Sequence, residues 1–162
     1  MLRLTIFAVS AILTLGLPVS AQGTDIAFGG LKADTSLPVE VNSDTLSVDQ
    51  ATNRAVFTGN VVVTQGPMKL TAAEVEVENG SDGAGIAQVK AKGGVVLVSG
   101  PDAAQSAEAV YTIASGDVVM TGDVVLTQGQ AAISGQKLVI NLVTGLGRME
   151  GRVTTTFVPA KN

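Results

Sequence analysis

Cysteine, histidine and tryptophan are absent from this sequence, and each absence closes off a chemistry. Without cysteine there is no thiolate nucleophile and no disulfide, so an exported chain has to hold itself together by packing and backbone pairing. Without histidine the commonest general base and the commonest zinc ligand are missing, and a metal site would rest on oxygen ligands alone. Aromatic residues make up 3% of the chain, one Tyr and four Phe. An interior built from such a pool consists of small branched groups that can leave a slot rather than fill it. Basic residues are outnumbered, 10 Lys and Arg against 14 Asp and Glu, the wrong sign for gripping phosphate backbones, and nucleic acid is excluded as an expected partner.

Long hydrophobic runs are scarce as well, with one exception at the start. The 14 residues from Leu4 to Leu17 are almost wholly apolar, follow Arg3 and lead into Val19-Ser20-Ala21. Such a run falls short of the roughly 20 residues that span a bilayer as a helix. Its order of charge, apolar stretch and small residues is that of a secretory signal over residues 1–21, cleaved after Ala21. Removing it leaves 141 residues and takes Arg3 away, so the excess of acids over bases grows to five. That length suffices for one domain hiding roughly 68% of the surface its unfolded chain would expose. Residues 22–37 mix Gly, Thr, Asp and Ala without alternation and read as a flexible arm ahead of a folded domain over 38–159, with a short tail at 160–162.

What is present is alternation. Val39-Glu40-Val41-Asn42, Leu46-Ser47-Val48-Asp49 and Glu74-Val75-Glu76-Val77-Glu78 place an apolar residue at every second position, which is the strand period, and no stretch carries a helical one. The alternation is also repeated. "FTGNVVVTQG" at 57–66 returns as "MTGDVVLTQG" at 120–129, and a Gly-x-Val word recurs at Gly59, Gly93, Gly122 and Gly151, at intervals of 34, 29 and 29. Each word follows a matching pair: Leu46 and Val48, Val75 and Val77, Val110 and Thr112, Leu138 and Ile140. Four copies of a unit of about 29 residues, each of three or four short strands, account for the domain. The longer first interval reflects a turn insertion from Gly80 to Gly85. One unit cannot bury its apolar face alone, so stacking closes the core, as a β-solenoid or as a rolled sheet. In either form the ends stay open. Edge strands carrying Val39 and Val41 at the start, and Val153, Thr155 and Phe157 at the finish, are free to pair with another chain head to tail.

Enzyme readings lack parts. Glu74, Glu76 and Glu78 share one face and read as a solvated edge rather than an acid/base pair. Ser134 and Lys137 spell S-x-x-K, but three apart on a strand they are expected on opposite faces. The glycines from Gly80 to Gly85 follow no phosphate-loop pattern. No catalytic residue, metal ligand or cofactor is assigned.

Several segments together resemble the OstA-like family of periplasmic lipopolysaccharide-transport proteins: "LPVEVNSDTLSVD" at 37–49, "FTGNVVVTQGPMKLTAAEVEV" at 57–77, "VVMTGDVVLTQG" at 118–129, "ISGQKLVINL" at 133–142 and "RVTTTFVP" at 152–159. The resemblance implies a twisted β-jelly roll with a V-shaped apolar interior. It also implies a non-enzymatic carrier in the periplasm that passes the lipid A acyl chains of lipopolysaccharide along a groove. Such a carrier bridges an inner-membrane-anchored export partner at one end and an outer-membrane translocon at the other, with protomers joined head to tail. Val39 and Val41 match the family's lipid-contacting first strand. Alternation then extends the same inner face to Leu46, Val48, Val61, Val63, Val75, Val77, Val124, Leu126, Leu138 and Ile140. The third unit departs from the pattern, with small residues from Ala103 to Ala109 and Thr112 where an apolar residue is expected. Three other readings compete: a structural or adhesive β-solenoid with no lipid cargo, the membrane-anchored partner of the same pathway, and a small outer-membrane barrel with roughly ten-residue strands and aromatic girdles.

Overall fold

The computed structural model describes residues 25–27, 31–80 and 85–157; the leader at 1–21, the tail at 160–162 and most of the glycine-rich insertion lie outside them. Eleven strands run in chain order as β1 Asp25–Ala27, β2 Glu40–Asn42, β3 Thr45–Asp49, β4 Arg54–Gln65, β5 Met68–Asn79, β6 Ile86–Ser99, β7 Asp102–Thr112, β8 Asp117–Gln128, β9 Ala131–Asn141, β10 Leu146–Glu150 and β11 Thr154–Phe157. All pairings are antiparallel, in one open sheet ordered β1-β10-β9-β8-β7-β6-β5-β4-β2, with β3 also on β4 and β11 also on β9. The all-β expectation holds. The subdivision differs: the two middle repeats are each one hairpin of two strands 11–14 residues long, and the outer two each pair one long strand, β4 or β9, with two short pieces, β2 with β3 or β10 with β11.

Those long strands are creased. Register shifts interrupt every pairing from β4 to β9 near its middle, between Thr58 and Val61 on β4, Lys92 and Val95 on β6, and Thr121 and Val124 on β8. At each crease a Gly with φ near +83° is followed by a second residue of positive φ: Gly59-Asn60, Gly93-Gly94, Gly122-Asp123 and Gly151-Arg152. The repeated Gly-x-Val word is therefore a β-bulge that bends the sheet along one line. The crease divides the sheet into two arms. One holds β3, the outer halves of β4–β9 and β10; the other holds β2, the inner halves and β11.

Hairpin turns fix the register at the arm tips. Gly66-Pro67, Gly100-Pro101 and Gly129-Gln130 each join a directly paired couple, Gln65 with Met68, Ser99 with Asp102 and Gln128 with Ala131. All three glycines have φ +56°, the positive value that the first position of a tight two-residue hairpin demands. At the opposite tips the turns 50–53, 113–116 and 142–145 each end in a positive-φ residue, Asn53, Gly116 and Gly145.

Between the arms lies the core. Val61, Val75, Val95, Leu97, Met120, Val124, Leu126, Leu138 and Ile140 are all at most 1% exposed. Burial of such side chains contributes about 1.5–3 kcal/mol each, without any disulfide. Among the described residues there is no α-helix, and none is long and apolar enough to cross a membrane.

Several sequence expectations are corrected here. The described part of the arm at 22–37 is not loose: β1 pairs with β10, Leu31 and Ala33 are buried, and the Ala33 amide donates to the Leu142 carbonyl at 3.0 Å. Polar composition hid the few residues that anchor it. In the third unit the inward pair is Ala109 and Tyr111 rather than Val110 and Thr112, because Ala109 aligns with Ala91 and Tyr111 with Val89. Glu74, Glu76 and Glu78 stand on β5, a central strand. They face outward and pair across strands with Lys92 at 2.8 Å and with Arg54 and Lys90 at 3.4–3.7 Å. Ser134 and Lys137 both lie on the outer face, since the strand bends at Gly135 between them, and Lys137 pairs with Glu150 at 3.5 Å.

Candidate functional site

Cross-strand partners share a face of the sheet, so the registers trace what lines the interior. On the first arm one row runs Leu46, Phe57, Val75, Ala91, Ala109, Met120, Leu138, Met149, and a second runs Val48, Ala55, Val77, Val89, Tyr111, Val118, Ile140, Gly147. On the other arm the row is Val41, Val63, Leu70, Leu97, Ala104, Leu126, Ile133, Thr155. Each of the three crosses eight strands, the first two from β3 to β10 and the third from β2 to β11. Apart from Thr155 and the hydroxyl of Tyr111, they present hydrocarbon throughout.

Val61, Val63, Val75, Val77, Val124, Leu126, Leu138 and Ile140 are buried in this interior. Val39 and Val41 are half-buried against it. Leu46 and Val48 also belong to the inner rows, yet they are 55% and 63% exposed, because β3 is the last strand and nothing described covers its inner face. At the far edge Phe157, at the lip end of β11, is 73% exposed, and Val153, just before the strand at the crease, is 47% exposed. The sequence reading missed Leu70, Val89, Val95, Leu97, Val118, Met120 and Ile133. For Val95 and Leu97 the signal was masked, since Val96 and Val98, which alternate with them, are apolar too and face outward at 36% and 37% exposure.

A fourth row marks the lip of the second arm: Gln65, Met68, Ser99, Asp102, Gln128, Ala131, Phe157. Unlike the rows beneath, it is half polar, and Gln65, Ser99 and Asp102 are at most 2% exposed. The N-terminal segment passes along this lip. Gln65 Nε2 donates to the carbonyls of Thr35 at 3.1 Å and Leu37 at 2.9 Å, and Gln128 Nε2 donates to that of Ala27 at 3.3 Å. Inside, a narrow slot with about 20 Å³ of free volume is lined from both arms by Val39, Val63, Leu70, Val89, Leu97 and Val118, with Gln65 and Tyr111 as its polar members. Burial pushes the Tyr111 phenol above its ordinary pKa. Among the described residues no three His, Cys, Asp or Glu side chains gather to hold a metal. The two arms thus face each other across an apolar interior whose lip is polar.

An open antiparallel sheet creased into two arms around an apolar trough is a β-jelly-roll-like architecture, and comparison with known proteins gives its family. Residues 40–146 match the family described as "LptA/(LptD N-terminal domain) LPS transport protein", and the chain belongs to it. It is 28% identical to the lipopolysaccharide export system protein LptA of Escherichia coli K12, over 92% of this chain and 86% of that protein. It is 29% identical to an uncharacterized protein, R00383, of Rhizobium meliloti, over 86% of this chain and 81% of that one. Its fold is similar to the crystal structure of LptH, described as the LptA homologous periplasmic component of the lipopolysaccharide transport device of Pseudomonas aeruginosa. There the TM-score is 0.70 at 22% identity, covering 78% of this chain and 99% of the other.

Proposed function

We propose that this protein is a periplasmic lipopolysaccharide carrier without catalytic activity. It holds lipid A acyl chains in the trough between the arms and passes them from an inner-membrane-anchored export partner toward an outer-membrane translocon. The observation that carries the reading is the continuity of the inner rows: hydrocarbon runs from β3 to β10 with no polar break on the deepest row, and apolar side chains stay exposed at both open edges. A core that served packing alone gains nothing from leaving Leu46, Val48 and Phe157 in water. A track handed from one protomer to the next needs them there. The free backbone edges of β2, β3 and β11 supply the joint, pairing head to tail with a second copy or with a similar partner domain.

The test is photo-crosslinking in cells, with a crosslinkable residue at Val41 or Leu46 and outward controls at Glu40 and Ser47. Lipopolysaccharide adducts at the first two and not at the controls are expected. Absence of adducts at every inward position sinks the carrier reading and leaves a dry structural scaffold.

A further inference from the structure

Two polar atoms interrupt the otherwise apolar slot. Gln65 is 2% exposed and Tyr111 7%, and neither Gln65 Oε1 nor the Tyr111 hydroxyl has a hydrogen-bond partner among the described residues. Both side chains line the same slot. They reach it from opposite arms, Gln65 from the end of β4 at the polar lip and Tyr111 from the end of β7. Gln65 is not free to turn away, because its Nε2 is committed to the carbonyls of Thr35 and Leu37. Its oxygen is therefore held toward the interior.

An unpaired buried donor or acceptor is destabilising, and Phe or Leu at these positions would avoid that cost. One acceptor and one donor at the mouth of a hydrocarbon slot are complementary to a group that both donates and accepts, as a hydroxyl does. Resting on the lipid-carrier reading above, we propose that Gln65 and Tyr111 form a polar clasp that selects acyl chains bearing a hydroxyl over plain chains of the same length. With the arms parted to admit the chain, the ligand hydroxyl donates to Gln65 Oε1, its oxygen accepts from the Tyr111 hydroxyl, and the methylenes beyond lie against Val63, Leu70, Val89 and Leu97. Because the clasp sits at the lip, the hydroxyl it takes is near the headgroup end of the chain. Gln65 also ties the lip to the N-terminal segment, so occupation of the clasp is felt by residues 35–37.

The experiment is competition binding to the mature full chain, using a β-hydroxylated fatty acid and the unsubstituted acid of equal length as probes, repeated with Tyr111→Phe. The native protein is expected to bind the hydroxylated chain about tenfold more tightly, as two hydrogen bonds in a dry site imply. Tyr111→Phe should reduce that preference to about threefold or less. Its melting temperature should be equal or higher, because an unpaired hydroxyl has been removed. Equal affinity for the two chains in the native protein overturns the clasp while the carrier reading stands; a single ordered water then bridges the two atoms. An undiminished preference in Tyr111→Phe overturns it as well. Failure of both chains to bind overturns the clasp and the carrier reading together.

Discussion

Gly93 and Gly122 sit on the crease with φ +83° and +84°, and a Cβ on either would lie 2.6–2.7 Å from the Cβ of Ala73 or Ala107 on the neighbouring strand. Two independent constraints thus demand glycine, a backbone region that L side chains avoid and a contact that only a missing side chain permits. Gly122→Ala should cost about 2 kcal/mol or more, read as a lower urea midpoint with unchanged slope. Inner-row residues divide by where they stand on their row. Leu126→Ala, in the closed middle, should cost about 2–5 kcal/mol through the cavity it leaves. Leu46→Asp, on the open edge, should change stability by no more than about 0.5 kcal/mol while weakening lipopolysaccharide adducts at Val41. Much of this was legible in the letters, since the alternation from Val75 to Val77 and from Leu138 to Ile140 marks the inner face directly. What was not legible is burial: Leu46 and Leu138 read alike as letters, and only the number of strands packed beyond each separates 55% exposure from none.

At the level of strands and turns, three carboxylates hold turn geometry by accepting hydrogen bonds. Asp34 is held below the ordinary carboxylate range by the Ser36 hydroxyl and amide, Asp49 by the Thr52 side chain and the Ala51 amide, and Asp117 by the Asn141 amide group and the Ser115 hydroxyl. A lowered folded pKa means that the unfolded chain takes up the proton first as pH falls. The stability these groups lend is complete above the ordinary value near 3.8 and is lost as pH drops through the lowered values. Thermal melts should be flat from neutrality down to about pH 4 and fall below it, and Asp117→Asn should soften that fall. The crease explains why strand lengths misled the sequence reading. Gly-x-Val looks like a strand boundary, yet the backbone continues through it and only the register shifts. The third unit misled for a different reason: Ala103 to Ala109 are too small to show a side by hydropathy, and the register of β7 emerges only from its neighbours on β6 and β8.

For the molecule as a whole, the two edges are unequal. Among the described residues, β2 and β3 at the start are both uncovered; at the finish, β11 is uncovered but β10 is already paired with β1. Head-to-tail joining on the proposed model therefore rests on β11 first, and removal of residues 154–162 should abolish concentration-dependent growth in light scattering. Deleting residues 22–30 uncovers β10 and should shift association to lower protein concentration. The repeat has one more effect. On the proposed carrier reading, a cargo lying in the trough meets apolar side chains of the same kind on each successive hairpin, so away from the Gln65–Tyr111 clasp moving it along by one unit changes its free energy little. Such a profile has no downhill direction. On that reading the conduit lets a chain slide either way with equal ease, and net traffic through it has to come from a push at one end or a sink at the other.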